Sequence, residues 1–129
     1  MNIKAIESFW VIEAKEAIQV ADHLMEKGDY SYALFFGHLA IEKLLKALHV
    51  AKQKNHAPPI HNLLRLARST GITVPSDKID ALIEISAFNI EARYPDFKRA
   101  FRKKCNAEYA GKQISVIKGI YQWIQKKIT

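Results

Sequence analysis

The chain has 129 residues, 49% of them hydrophobic and 26% charged, with a net charge of +7 and a pI near 9.5. That length suits a single domain over residues 1–129 with a real core, and the excess of Lys and Arg favours an anionic partner such as nucleic acid, nucleotide or an acidic protein. One cysteine, Cys105, excludes an internal disulfide framework and a cysteine-based metal site, and the lack of a long apolar run or an N-terminal h-region predicts a cytoplasmic chain with no membrane association.

The first predicted helix runs from about Ala5 to Lys27, with Ile6, Phe9, Trp10, Ala14, Ala17, Val20, Ala21 and Leu24 on its apolar face. Lys27 and Gly28 read as its stop, and Asp29 as the cap of the next helix. So short a turn makes the two helices antiparallel neighbours. The second helix, from Tyr30 to about Gln53, is the centre of the pattern. Leu34, Ile41, Leu44, Leu45 and Leu48 form its apolar face, and Ala33, Gly37, Ala40, Ala47 and Ala51 form a strip of small residues beside it. Small residues admit another helix at close range, so this helix is expected to be touched on more than one side.

Residues 54–61 form a loop around Pro58 and Pro59. His61 or Asn62 can cap a short helix through Ala67 or Arg68, carrying Leu63, Leu64 and Leu66. Gly71 and Pro75 bracket the next connection, and Ser76 reads as the cap of a fourth helix with Ile79, Leu82, Ile83, Ile85 and Ala87 as its apolar set, ended by Pro95. Asn106 is the expected cap of a last helix to about Lys127, with Tyr109, Ala110, Ile114, Ile117, Ile120, Tyr121 and Ile124 inward. Nothing reads as a sheet. The expected fold is all-α, an up-and-down bundle of four main helices plus a short one.

Three features bear on function. His38, Glu42, Lys46 and His49 follow at steps of four, four and three, so they share one side of the second helix, either as a solvated face or as the lining of a polar site or subunit contact. The segment Glu91-Ala92-Arg93-Tyr94-Pro95-Asp96 can aim a guanidinium fork and a phenol into one space; arginine matches two phosphate oxygens at once. The plain alternative is an Arg93–Asp96 or Arg93–Glu91 ion pair that fixes the turn. Lys98, Arg99, Arg102, Lys103 and Lys104 then form a basic run, either a solvated loop or a contact for phosphates, reinforced if Lys112, Lys118, Lys126 and Lys127 face the same side. Tyr94, Phe97, Phe101 and Tyr109 lie among these charges and could stack on bases, although Phe97 and Phe101, four apart, are expected to pack inward. The basic neighbours favour the Cys105 thiolate, but with no histidine nearby in sequence a buried thiol is the simpler reading. No glycine-rich phosphate loop, metalloprotease motif or serine nucleophile motif occurs, so no cofactor or metal is expected.

The order Gly28-Asp29-Tyr30, then Ala40-Ile41-Glu42-Lys43-Leu44-Leu45-Lys46-Ala47, then His61-Asn62-Leu63 after a proline loop, then Ala92-Arg93-Tyr94-Pro95-Asp96 resembles the HEPN domain family of bacteria and archaea, from about Ser8 to Ile124. The resemblance implies a helical bundle that commonly forms homodimers and works around nucleotides or RNA. Many members are paired with a minimal nucleotidyltransferase in toxin–antitoxin systems, and others are metal-independent ribonucleases. Those ribonucleases carry an arginine and a histidine separated by four to six residues. Arg93 matches the arginine, but positions 98 to 100 are Lys98, Arg99 and Ala100, and no histidine follows His61. The resemblance therefore implies a non-catalytic nucleotide- or RNA-binding module, or the partner subunit of a nucleotidyltransferase, with Arg93, Tyr94 and Asp96 shaping the pocket and Glu42, Lys46 and His61 near it. The alternative is a ribonuclease in which His49 or His61 stands in as the base.

Overall fold

In the computed structural model, which describes residues 1–128, six helices follow one another: α1 (Ile3–Lys27), α2 (Tyr30–Gln53), α3 (Leu63–Ser69), α4 (Ser76–Glu91), α5 (Pro95–Lys104) and α6 (Ala107–Ile128). No strand occurs among the described residues, and no described helix is long and apolar enough to cross a membrane. The all-α bundle stands.

Local chemistry sets the helix ends. The Asn2 side chain accepts from the Ala5 N–H at 3.0 Å, and Gly28 closes α1 at φ 80°, a left-handed geometry that costs glycine little. Asn62, rather than His61, caps α3 by accepting from the Arg65 N–H at 2.9 Å. Asn106 accepts from the Tyr109 N–H at 2.8 Å where α6 begins.

Two expected boundaries are corrected. Ser76 is the first helical residue of α4; the cap position belongs to Pro75, whose extended geometry delivers the chain into the helix. Pro95 does not end α4, which stops at Glu91; it occupies the first turn of α5. A first-turn proline gives up an N–H that has no intrahelical partner anyway, so it starts a helix readily. The basic run is therefore a ten-residue helix, not a loop. Of its two phenylalanines only Phe101 packs inward, 5.5 Å from Phe88 between ring centroids, while Phe97 is exposed. Phe9 and Ile83, expected inside, are also exposed.

α2 is the hub and touches all five other helices. Ala33, Gly37, Ala40 and Ala47 are buried with Leu34, Ile41, Leu44, Leu45 and Leu48. A Cβ on Gly37 would stand 2.7 Å from Ile117 Cδ1, so α6 approaches closely because Gly37 has no side chain.

Candidate functional site

The polar stripe of α2 is not a solvated face. Glu42 is 5% exposed and His38 fully buried. The Glu42 carboxylate accepts from His61 Nδ1 at 3.0 Å and from Lys46 Nζ at 3.3 Å, and His38 Nε2 stands 3.8 Å from the same Oε1. The Lys46 ammonium also lies 5.1 Å from the Trp10 ring centroid. Both ring nitrogens of His38 are without a hydrogen-bond partner. Burial lowers its pKa below the usual histidine value, against the opposing pull of Glu42. His49 leaves the group: its Nδ1 donates at 3.0 Å to Ser69 Oγ, whose own hydroxyl donates to the Leu66 carbonyl, and burial lowers its pKa as well.

Arg93 reaches this cluster from the other side. Neither expected ion pair forms. Its Nη1 donates to Asn89 Oδ1 at 3.2 Å, and its guanidinium lies 5.8 Å from the centroid of Phe35, whose ring in turn stacks on His38 at 6.3 Å. Glu91 instead acts on Lys104 and Cys105. His61, Asn62, Ser86, Asn89 and Ile90 line a cleft of about 190 Å³ between the start of α3 and the end of α4. Ser86 Oγ accepts from the Leu63 N–H at 2.8 Å and fixes one wall to the other. The cleft thus has a carboxylate-held imidazole on one side and the amide that holds Arg93 on the other.

Of the residues predicted from sequence, Glu42, Lys46 and His61 meet directly, and Arg93 joins them through Phe35 and His38. Tyr94 and Asp96 are exposed at the start of α5, and their side chains make no hydrogen bond or ion pair with the group. Asp96 in the first turn of α5 suits the positive end of that helix. Phe35, Asn89 and Ser86 were not singled out from sequence. Asn89 sits one turn before Arg93, and that spacing was the available signal.

The basic run forms a second locus. Lys98 Nζ and Arg102 Cζ lie 5.3 and 5.6 Å from the Tyr32 ring centroid, and Arg102 Nη2 donates to the Tyr32 hydroxyl at 3.3 Å. The Lys98 contact, joined by the charge of Arg102, lowers the phenol pKa. Arg99 and Lys103 are exposed, and Lys104 lies 4.9 Å from the Tyr109 centroid. The lysines of α6 do not extend this patch as one set: Lys118 pairs with Asp22 of α1 at 2.8 Å, Lys127 lies over Trp123, and Lys112 shares an open cleft with Lys104. Cys105 is buried, and burial pushes its thiol up to about 11, which overrides the neighbouring lysines and agrees with the reading of a buried thiol. Among the described residues no group of three or more His, Cys, Asp or Glu is arranged to hold a metal.

Comparison with known proteins supports the same frame. The structure is similar to the crystal structure of TT1696 from Thermus thermophilus, with a TM-score of 0.81, 24% identity, and coverage of 94% of this chain and 97% of that one. At that identity the likeness is one of fold. Among curated proteins none matches. The sequence profile of the HEPN domain matches residues 7–128, from the first turns of α1 to the last residue of α6, and by that match the chain belongs to the HEPN domain family.

Proposed function

We propose that the chain is a non-catalytic HEPN module that binds a phosphate-bearing ligand, a nucleotide or RNA, at the cleft beside Arg93. The observation that carries this reading is how Arg93 is held. Its partners are a neutral amide and an aromatic face, so no carboxylate cancels its charge. A guanidinium placed that way keeps donors for a phosphate. The ribonuclease histidine of the family has no counterpart after Arg93, which favours binding over cleavage. A minimal nucleotidyltransferase would bring the same chemistry as a protein partner, since its bound nucleotide presents phosphates. Ile83 and Ile90, exposed and seven apart on α4, supply an apolar face for a homodimer.

The test is calorimetric titration of the protein with ATP and with a short RNA, beside Arg93→Ala. The variant should lose at least about tenfold in affinity while its circular dichroism is unchanged. Equal affinity of both proteins for every anionic ligand would overturn the reading.

One observation favours a second reading, a metal-independent ribonuclease with a substitute base. His61 is tethered through Nδ1 to a buried carboxylate, its side chain is 68% exposed, and it lines the same cleft as Asn89. A carboxylate on one ring nitrogen fixes the tautomer and leaves the other nitrogen for proton transfer, with Arg93 to stabilise charge on the phosphate. His49 is turned to Ser69 and does not compete for this role. This reading predicts RNA cleavage in chelator, lost in both His61→Ala and Arg93→Ala. RNA left whole from about pH 5 to about pH 9 would exclude it.

A further inference from the structure

The charge on α5 is not neutralised locally. Among the described residues no ion pair involves Lys98, Arg99, Arg102 or Lys103. Two of these cations are ordered, because Tyr32 on the first turn of α2 holds both: Lys98 and Arg102 lie over its ring, and Arg102 donates to its hydroxyl. An ordered cation loses less freedom on binding an anion than a free surface lysine does. Lys98 and Arg102 are one turn apart, about 6 Å along the helix axis, a spacing that suits successive phosphates of an extended strand. Arg102 lies between two open clefts. One, of about 250 Å³, is lined by Pro95, Lys98, Arg99 and Arg102. The other, of about 340 Å³, lies between Arg102 and residues 28–32 of the α1–α2 turn.

Because Arg102 lines both clefts, the two form one track past the Tyr32 edge. Asp29, on the wall of the second cleft, is the only acidic side chain among the described residues that line the two clefts. The ring of Phe97, on the same helix as Lys98 and Arg102, is exposed and offers a stacking surface. Stacking needs unpaired bases, so an exposed aromatic on the helix that carries these cations favours a single strand over a duplex or an acidic peptide.

We propose that Lys98 and Arg102, ordered on Tyr32, form a second anion site, distinct from the Arg93 cleft, that takes consecutive phosphates of a single-stranded polynucleotide. This rests on the nucleic-acid side of the proposed function and gives it a path along the surface: the strand crosses α5 and the α1–α2 turn, while Arg93 engages one phosphate elsewhere.

The experiment is fluorescence anisotropy with a labelled oligouridylate of about 12 nucleotides, titrated at several salt concentrations from about 50 to about 200 mM. The proteins are wild type, Lys98→Gln/Arg102→Gln, Arg93→Ala, and a control with the same charge loss elsewhere, Lys15→Gln/Lys52→Gln. Each phosphate contact contributes about 0.7 to the slope of log affinity against log salt for a single strand, so the double variant should lower the slope by about 1.4. The control should leave it unchanged. An unchanged slope in Lys98→Gln/Arg102→Gln, or an equal fall in the control, would overturn the second site, as would a wild type that does not bind the oligonucleotide. ATP titration of Arg93→Ala reports separately on the first site, so loss of either proposal is distinguishable from loss of the other. Tyr32→Phe removes the hydroxyl that orders Arg102 and should weaken binding at constant charge, an effect that diffuse attraction does not produce.

Discussion

Glu42→Leu is the most informative single change, because three side chains, His38, Lys46 and His61, surround the carboxylate. Lys46 and Glu42 have side chains only 11% and 7% exposed, so their 3.3 Å contact is a buried pair. Removing one partner of a buried pair costs about 3–5 kcal/mol. Two features reduce that here. The Lys46 ammonium keeps the Trp10 ring at 5.1 Å, worth about 1 kcal/mol. The bond to His61 ends on a largely exposed ring that water can satisfy, so its loss adds little. The expected cost is about 2–3 kcal/mol, or a melting point lower by about 10 °C for a chain of this size. The reasoning is about an unpaired charge, not about volume, so Glu42→Leu/Lys46→Met should return to within about 1 kcal/mol of wild type. Urea denaturation of the four proteins of the cycle measures both numbers. Glu42→Leu within about 0.5 kcal/mol of wild type, or a double variant as unstable as the single one, would refute the argument.

Three further outcomes follow from the same geometry. The folded pKa of His38 lies below its unfolded value of about 6.5, so the unfolded chain binds more protons below that pH; stability contributed by the neutral ring is complete above about pH 6.5 and falls as pH drops toward the folded pKa. Denaturation midpoints between about pH 5 and about pH 7.5 should show this fall, reduced in His38→Phe, with His49 supplying a remainder of the same sign. Gly37→Val should destabilise by about 1–3 kcal/mol, seen as a lower urea midpoint, because its branched Cβ enters the space of Ile117, and Gly37→Val/Ile117→Ala should recover part of that loss. Cys105, buried and with its thiol pushed up to about 11, should react with Ellman's reagent at about pH 8 only as fast as the protein opens, and at once in denaturant.

The sequence patterns revealed the bundle and its central helix, because apolar spacing and small residues report burial directly. Gly37 against Ile117 is the clearest case. The polar side of α2 was harder. A Glu and a Lys four apart look the same on a wet face and in a closed one, and the burial of Glu42 depends on His61, nineteen residues on. Arg93 was legible as an unusual residue, but its partner was not: nearby carboxylates compete on paper, and the turn before Pro95 gives it Asn89 and Phe35 instead. α5 was missed because Pro95 signals an end and a beginning with equal force, and five cations in seven residues hide a helical face with one buried ring, Phe101.

The contacts of α2 with every other helix set the residues behind the His61–Asn89 cleft apart from those at its mouth. His38 and Glu42 are buried on that central helix, whereas His61 and Arg93 sit in connections between helices, the kind of segment whose local opening costs least. A larger ligand is then admitted by displacement of residues 54–62 or of Arg93 and Tyr94, while Ala92 stays in the core. The same division sets where ligand preference can change over time: substitutions in those two connections reshape the cleft at small cost in stability, while the α2 side stays as it is.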